Sequence, residues 1–457
     1  MGIYSALASA VSGLRAQSFA LETISGNIAN SQTVGFKRTE TSFADLVPEA
    51  AINRQSSGAV LASSRSTNTV QGDIRSADTE TFVAINGDGY FVVDSQLGVV
   101  DGNPVLSGID KYTRRGDFDR DANGYLVNGA GYFLKGLKID AATGNPVGGL
   151  PEAVQIGNDF LPAQVTSEIT LRANLAQFPL TANADPDTPG SELLDPADFT
   201  VDPTTGGTGT VVGNDVSVFL QSSISGGATT VYNAGGASTN IQFRWAKIDS
   251  AATGGSDTWN LFYLEDSNAT GTDVVWRNVG QDYTFDSTGQ LSPAVTSVNI
   301  PGLTINGQVI GDVNLAHGVG GLTQFADNNG NVQITELAQN GYAAGELSSV
   351  SISDSGRVVA TYTNGRQLDL YQIPLATFNA SNFLKKLDGG AFEATAESGA
   401  AILGSNGNIV GASLEASNTD LADEFTKLII TQQAYSAGTR IVTTSDEMLQ
   451  EVLNMVR

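Results

Sequence analysis

Asp119, Asp121, Asn123 and Gly124 stand in the D-x-D-x-N-G spacing with which a calcium loop opens. Such a loop needs a bidentate carboxylate at its twelfth position, and that position here is Ala130. Phe118 before the run and Tyr125-Leu126-Val127 after it have the character of hairpin strands, so the run reads as an Asx/Gly turn. His317 is the single histidine, beside Gly318 and Gly320. One imidazole cannot build a His-rich metal site, and no G-x-S-x-G marks a nucleophile for it to serve. Gly206-Gly207-Thr208-Gly209 lacks the third spaced glycine and the following helix of a dinucleotide loop, and reads as a flexible turn. Carboxylates are plentiful, yet no pair sits in a context that marks a glycosidase acid and base. The chemistry-bearing residues therefore lead to no catalytic site, no metal and no cofactor.

Composition narrows the classes further. The 457 residues carry 48 acids against 23 bases, a net charge of −25, which disfavours a nucleic-acid partner and adhesion to an anionic membrane. There is no cysteine, so no disulfide or thiolate chemistry is available. No apolar run approaches the ~20 residues of a membrane span. The first residues, MGIYSALASAVSGL, lack a basic leader, an unbroken apolar core and a cleavage site, so any export is expected to leave the N-terminus uncleaved.

What remains are the elements. Ile3, Leu7, Ala10, Leu14, Gln17, Leu21, Ile24 and Ile28 recur in steps of four and three, a heptad seam. Leu421, Phe425, Leu428, Gln432, Tyr435, Thr439, Val442, Asp446, Leu449, Leu453 and Val456 keep the same steps at the other end, behind the candidate caps Asn418, Thr419 and Asp420. The polar Gln432, Thr439 and Asp446 interrupt this second seam. Helices at both chain ends, one rich in small residues, predict pairing with each other and packing against copies of themselves. The seam residues for that packing are Ile3, Leu7, Leu14, Leu21, Ile24, Ile28, Leu421, Phe425, Leu428, Tyr435, Val442, Leu449 and Leu453. Between the helices the text is strands and turns. Phe82–Ile85 and Tyr90–Val93 read as two strands about Asn86-Gly87-Asp88-Gly89, and Ser349–Ile352 and Val358–Tyr362 as two about Ser353–Gly356.

The expected fold is mainly β with helical termini paired as a coiled coil and nested β domains between. The domains are 1–30 with 420–457 (helical), 31–80 (an extended connecting segment), 81–170 with 341–419 (the first β domain) and 171–340 (an inserted outer β domain). The insert holds all three tryptophans, Trp245, Trp259 and Trp276.

Specific motifs then enter. Ser25-Gly26-Asn27-Ile28-Ala29-Asn30-Ser31, followed by Val34-Gly35-Phe36-Lys37-Arg38, resembles the signature of the bacterial flagellar rod and hook axial proteins, with Asn27, Asn30, Gly35 and Phe36 as its marks. Asn86–Val93, Tyr112–Phe118 and Asp121–Val127 resemble the same family. The hook branch is singled out by Ala343–Leu347 with Asp354–Val358 and Tyr362–Gly365, and by the tail Leu421–Phe425, Ile430–Tyr435 and Thr443–Leu449. Gln433 departs from the arginine common at its position. The middle block matches no motif. The resemblance implies a non-enzymatic, extracellular subunit of a curved helical homopolymer acting as a universal joint. It implies type III export, contacts with rod, hook-cap and hook–filament junction proteins, and no cofactor, nucleic acid or membrane. The alternatives are a distal rod or hook-associated axial protein, or an extracellular adhesin.

Overall fold

The computed structural model describes residues 3–46, 59–141, 143–204, 209–404 and 407–455. Gly206, Gly207 and Thr208 of the glycine cluster and Val456 of the second seam lie outside them. Among the described residues the helices are α1 (Ile3–Ala29), α2 (Val216–Gln221) and α3 (Leu421–Met455), and the others form strands, short 3-10 turns and loops. Neither terminal helix is long and apolar enough to cross a membrane.

The chain divides into two compact units, 1–159 with 347–457, and 160–346. The boundary falls outside the expected 171–340 because entering and leaving segments already pair at Leu161–Gly345 and Gln164–Tyr342. The terminal helices and the first β segments, expected as separate domains, fall within one unit. Residues 31–80 are more than a connector: Thr39–Leu46 and Ala59–Ser66 pair as an antiparallel ribbon lying along α1.

In the first unit the strand Tyr90–Val100 is central. Phe91 and Val93 point into one core with Phe118, Leu126 and Leu134, while Tyr90 and Val92 point into another with Tyr112, Phe378 and Phe392. Burial on both faces explains why this stretch is a continuous apolar run rather than an alternating one. The turn at 86–89 does not close a hairpin, contrary to the sequence reading. Val83–Asn86 pairs instead with Asn408–Gly411, and Tyr90–Val100 pairs with Tyr132–Lys138, Lys111–Thr113 and Leu375–Thr377. Leu347–Ile352 and Arg357–Tyr362 do pair as read, about Ser353–Gly356. The D-x-D-x-N-G run is a hairpin turn: Asp121 Oδ1 accepts from the N–H groups of Asn123 (2.9 Å) and Tyr125 (2.7 Å), between the paired strands Phe118–Arg120 and Leu126–Asn128.

The inserted unit is a sandwich of two five-stranded sheets over one core that includes Trp245, Trp259, Tyr283, Leu171 and Leu315. On the far side of one sheet, Phe219 of α2 packs against Phe262 and Trp276. His317 is fully buried, with Nδ1 2.9 Å from the Leu171 carbonyl and Nε2 3.0 Å from the Tyr283 hydroxyl. A carbonyl only accepts, so Nδ1 carries the proton and Nε2 accepts from the tyrosine. Burial pushes the His317 pKa down, though the Leu171 bond opposes it, and pushes that of Tyr283 up. It is a core histidine.

Candidate assembly interface

The candidate surface is built where the two ends of the chain meet. Asp420 caps α3: its Oδ1 accepts from the N–H groups of Ala422 (2.8 Å) and Asp423 (3.3 Å). Asp423 and Glu424 in the first turn also suit the positive end of the helix. At its own end α1 stops at Ala29, where Asn30 Nδ2 donates to the Gly26 carbonyl (2.9 Å).

The helices run antiparallel, with Asn27 of α1 meeting Glu424 of α3 and Leu14 meeting Gly438. At Gly438 an added Cβ would lie 2.9 Å from Leu14 Cδ2, so only glycine admits this approach without a shift. Along α3 the most buried positions are Glu424, Thr431 and Ser445. With Gly438 they recur every seventh residue, a heptad one step away from the expected row of Phe425, Gln432, Thr439 and Asp446. The contact line is made of small and polar residues because the backbones come close. Gln432 and Asp446 do not interrupt it; they lie outside it, exposed.

The consequence is an apolar surface left over on both sides of that line. Leu421, Phe425, Ile429 and Tyr435 are exposed on one flank of α3, and Ile430, Ile441 and Met448 on the other, Phe425 by 50% and Ile430 by 61%. Of the expected seam residues, Ile24 is buried; Leu7, Leu14, Leu21, Ile28, Leu428, Val442 and Leu449 are half-buried; and Leu421, Phe425 and Tyr435 are exposed. The side chains of Ile3 and Leu453 lie outside the described residues. Beside α1, Leu7, Val11, Phe19, Val60 and Leu61, with Ser12 and Arg15 among them, line a groove under the ribbon.

Beneath the helix pair lies a clasp. The Glu415 carboxylate, fully buried, takes Lys37 Nζ at 2.5 Å, Arg114 Nη1 at 3.3 Å and the Gly72 N–H at 2.9 Å. Lys37 also donates to the Val70 carbonyl (2.7 Å), and Arg114 to the carbonyls of Gly87 (2.7 Å) and Ile85 (3.3 Å). Burial pulls the Lys37 pKa down, against the opposing pull of Glu415. Asn27 pairs with Thr39 through both its amide atoms, donating to the carbonyl (2.8 Å) and accepting from the N–H (3.0 Å), and reaches Glu424 Oε2 at 3.1 Å. Gly35 has φ +66°, and a Cβ there would meet the Arg114 carbonyl carbon at 2.7 Å, so its lack of a side chain is required twice over. Phe36 lies under Lys386, whose Nζ is 5.4 Å from the ring centroid. Asn418 accepts from the Arg38 N–H (2.7 Å) and donates to the Val70 carbonyl (3.1 Å). These motif residues thus tie both helix ends to the first β unit.

Sequence reasoning quoted Lys37, Arg114 and Asn418 without giving the first two a charge partner, and missed Glu415. In a chain only 16% charged, an acid placed just before a helix cap was the one available signal.

Known proteins show the same arrangement of segments. Residues 7–37 match the family described as flagella basal body rod protein, 84–178 the flagellar hook protein FlgE/F/G D1 domain, and 410–455 the flagellar basal body rod FlgEFG protein C-terminal family. The flagellar hook protein FlgE of Brucella suis is 33% identical over the whole of both chains, and that of Salmonella typhimurium 29% identical over 98% of each. A crystal structure of the Helicobacter pylori flagellar hook protein FlgE2 aligns with a TM-score of 0.48 and 15% identity over 75% of this chain and all of that one. A relative one-third identical from end to end, with family matches at both helices and the first β unit, establishes that the chain belongs to the flagellar hook protein family.

Proposed function

We propose that the chain is a structural subunit of the bacterial flagellar hook, a curved, flexible tube that joins rod to filament, and that its terminal helices form the polymer contacts. The observation that carries this is the pair of apolar flanks on α3. A helix already packed on one side does not keep Phe425, Ile429, Ile430 and Ile441 in water without a further partner. Two flanks, with a groove on the far helix, are different surfaces of one molecule, and contacts between different surfaces build open helical polymers rather than closed dimers. The seam Ile3, Leu7, Leu14, Leu21, Ile24, Ile28, Leu421, Phe425, Leu428, Tyr435, Val442, Leu449 and Leu453 then divides between the helix pair within one subunit and contacts with neighbours.

In this reading the subunit acts as a mechanical part and needs no cofactor. It leaves the cell through the type III export apparatus and meets rod, hook-cap and hook–filament junction proteins at the ends of the tube. The inserted unit, polar and Thr/Ser/Asn-rich on its outside, supplies contacts that re-form as protofilaments lengthen and shorten, since wet interfaces exchange readily. Replacing residues 160–346 by a short Gly/Ser linker is expected to leave polymerisation intact and to straighten the tubes seen by negative-stain microscopy in high salt. Curved tubes from this variant place the curvature determinant in the first unit. Absence of tubes places the insert among the contacts required for assembly.

A further inference from the structure

The inserted unit holds a second buried ionic group, built on Lys247, Asp257 and Glu192. Lys247 is 2% exposed and points to the tryptophan face of its sheet: it follows Trp245 by two residues and stands directly opposite Trp259 in the antiparallel register. Asp257 lies on the same face of the neighbouring strand, two residues before Trp259, and its Oδ1 is 2.9 Å from Lys247 Nζ. The Lys247 nitrogen has two further partners, the Gln177 carbonyl at 2.8 Å and Ser250 Oγ at 3.3 Å. Two of its three N–H bonds are therefore held by neutral oxygens, and the Asp257 carboxylate, whose Oδ1 also accepts from the Ala251 N–H (3.1 Å), lies within ion-pair distance of the same nitrogen. Glu192, 1% exposed, places Oε1 3.7 Å from the same nitrogen, just beyond a hydrogen bond. Its other oxygen accepts from the Gly190 N–H (2.9 Å), and the Leu194 N–H bonds to the carbonyl of Lys247 itself (2.8 Å), which fixes the glutamate's loop at the lysine. Trp245 and Trp259 beside it are fully buried, and their indole N–H groups have no protein hydrogen-bond partner.

We infer that Lys247 and Asp257 condense to an intramolecular amide, with Glu192 carrying the protons. One ammonium proton passes to Glu192, leaving a lone pair aimed at the Asp257 carboxyl. The N–C bond forms at Asp257 Cγ, the nitrogen gives up a second proton, and one carboxylate oxygen leaves with both protons as water. Glu192 ends in the state in which it began. An ammonium and a carboxylate become an amide and water, with no oxidant or co-reactant. Juxtaposition supplies the entropy that such a condensation lacks in solution, and the buried site disfavours the return of water. It also removes two charges from a place where holding them is costly. In a chain without cysteine, such a bond is a covalent cross-link open to a part that bears repeated load.

The test is the intact mass of the purified full-length chain. The chain is expected to be lighter than its sequence by one water, and peptide mapping is expected to give a branched peptide joining Lys247 to Asp257. Asp257→Ala and Glu192→Gln are expected at the full mass of their sequences, with tryptophan fluorescence showing the inserted unit folded. A parent chain at its full sequence mass overturns the inference. So does a lost water that maps to a succinimide at Asp88-Gly89, Asp101-Gly102 or Asp388-Gly389, which reopens in mild base as an amide does not. A Glu192→Gln variant that cross-links at the parent rate removes the proton-carrying role and with it the mechanism.

Discussion

Ile430→Asp and Phe425→Asp each abolish tube formation at concentrations where the parent chain assembles, while the monomer stays folded. Both side chains are at least half exposed in the single subunit, so a carboxylate at either site meets water there and costs the fold little. In the polymer the same carboxylate enters an apolar contact without a partner. A penalty of about 2–4 kcal/mol per subunit raises the critical concentration roughly 30- to 700-fold. Sedimentation of salt-treated protein measures this directly, and far-ultraviolet circular dichroism of the soluble fraction checks the fold. Ile24→Asp provides the contrast: Ile24 is only 7% exposed within the subunit, so there the charge disrupts the folded monomer as well. Assembly of both flank variants at the parent concentration would remove α3 from the polymer contacts.

Glu415→Ala is expected to destabilise the first unit by about 3–5 kcal/mol, because it leaves Lys37 and Arg114 buried with no counter-charge. Glu415→Gln, which keeps an acceptor but loses the charge, falls between alanine and the parent. The two units can be followed separately. All three tryptophans lie within 160–346, so tryptophan fluorescence reports the insert alone. Helical ellipticity reports mainly α1 and α3. The variant should lose helical signal at a lower temperature and become sensitive to protease near residues 31–40 and 412–420, with the fluorescence transition unmoved. An unshifted helical transition would show that the clasp does not hold the chain ends.

The sequence carried the terminal helices almost whole, since the steps of three and four that mark Leu7 to Ile28 and Leu421 to Leu449 are local properties of each segment. It carried less of what those helices touch. An apolar residue must be buried somewhere, but its pattern does not distinguish burial inside the subunit from burial against a copy. Phe425 and Tyr435 look like seam residues on either count. The contact that does form within the subunit, at Leu14 and Gly438, sets a leucine side chain against a glycine, and a search for apolar periodicity passes over glycine. The hairpin read about residues 86–89 failed for a related reason. The turn at Asn86–Gly89 was legible, whereas the partner of Val83–Asn86 lies more than 300 residues away at Asn408–Gly411. The clasp joins Lys37, Arg114 and Glu415 from three distant segments, so their charges were visible and their meeting was not. The turn at Asp121–Gly124 was read from its missing twelfth ligand and its strand-like flanks, which is local information again, whereas the burial of His317 in the core was not read.

The most direct measurement is a helical reconstruction by electron cryomicroscopy of tubes grown from the purified chain. The expected result is a curved tube whose wall contains α1 and α3 of every subunit, with the Phe425 and Ile430 flanks of α3 buried against neighbouring copies. A tube held together by its β units alone, with both flanks of α3 open to solvent, would contradict it.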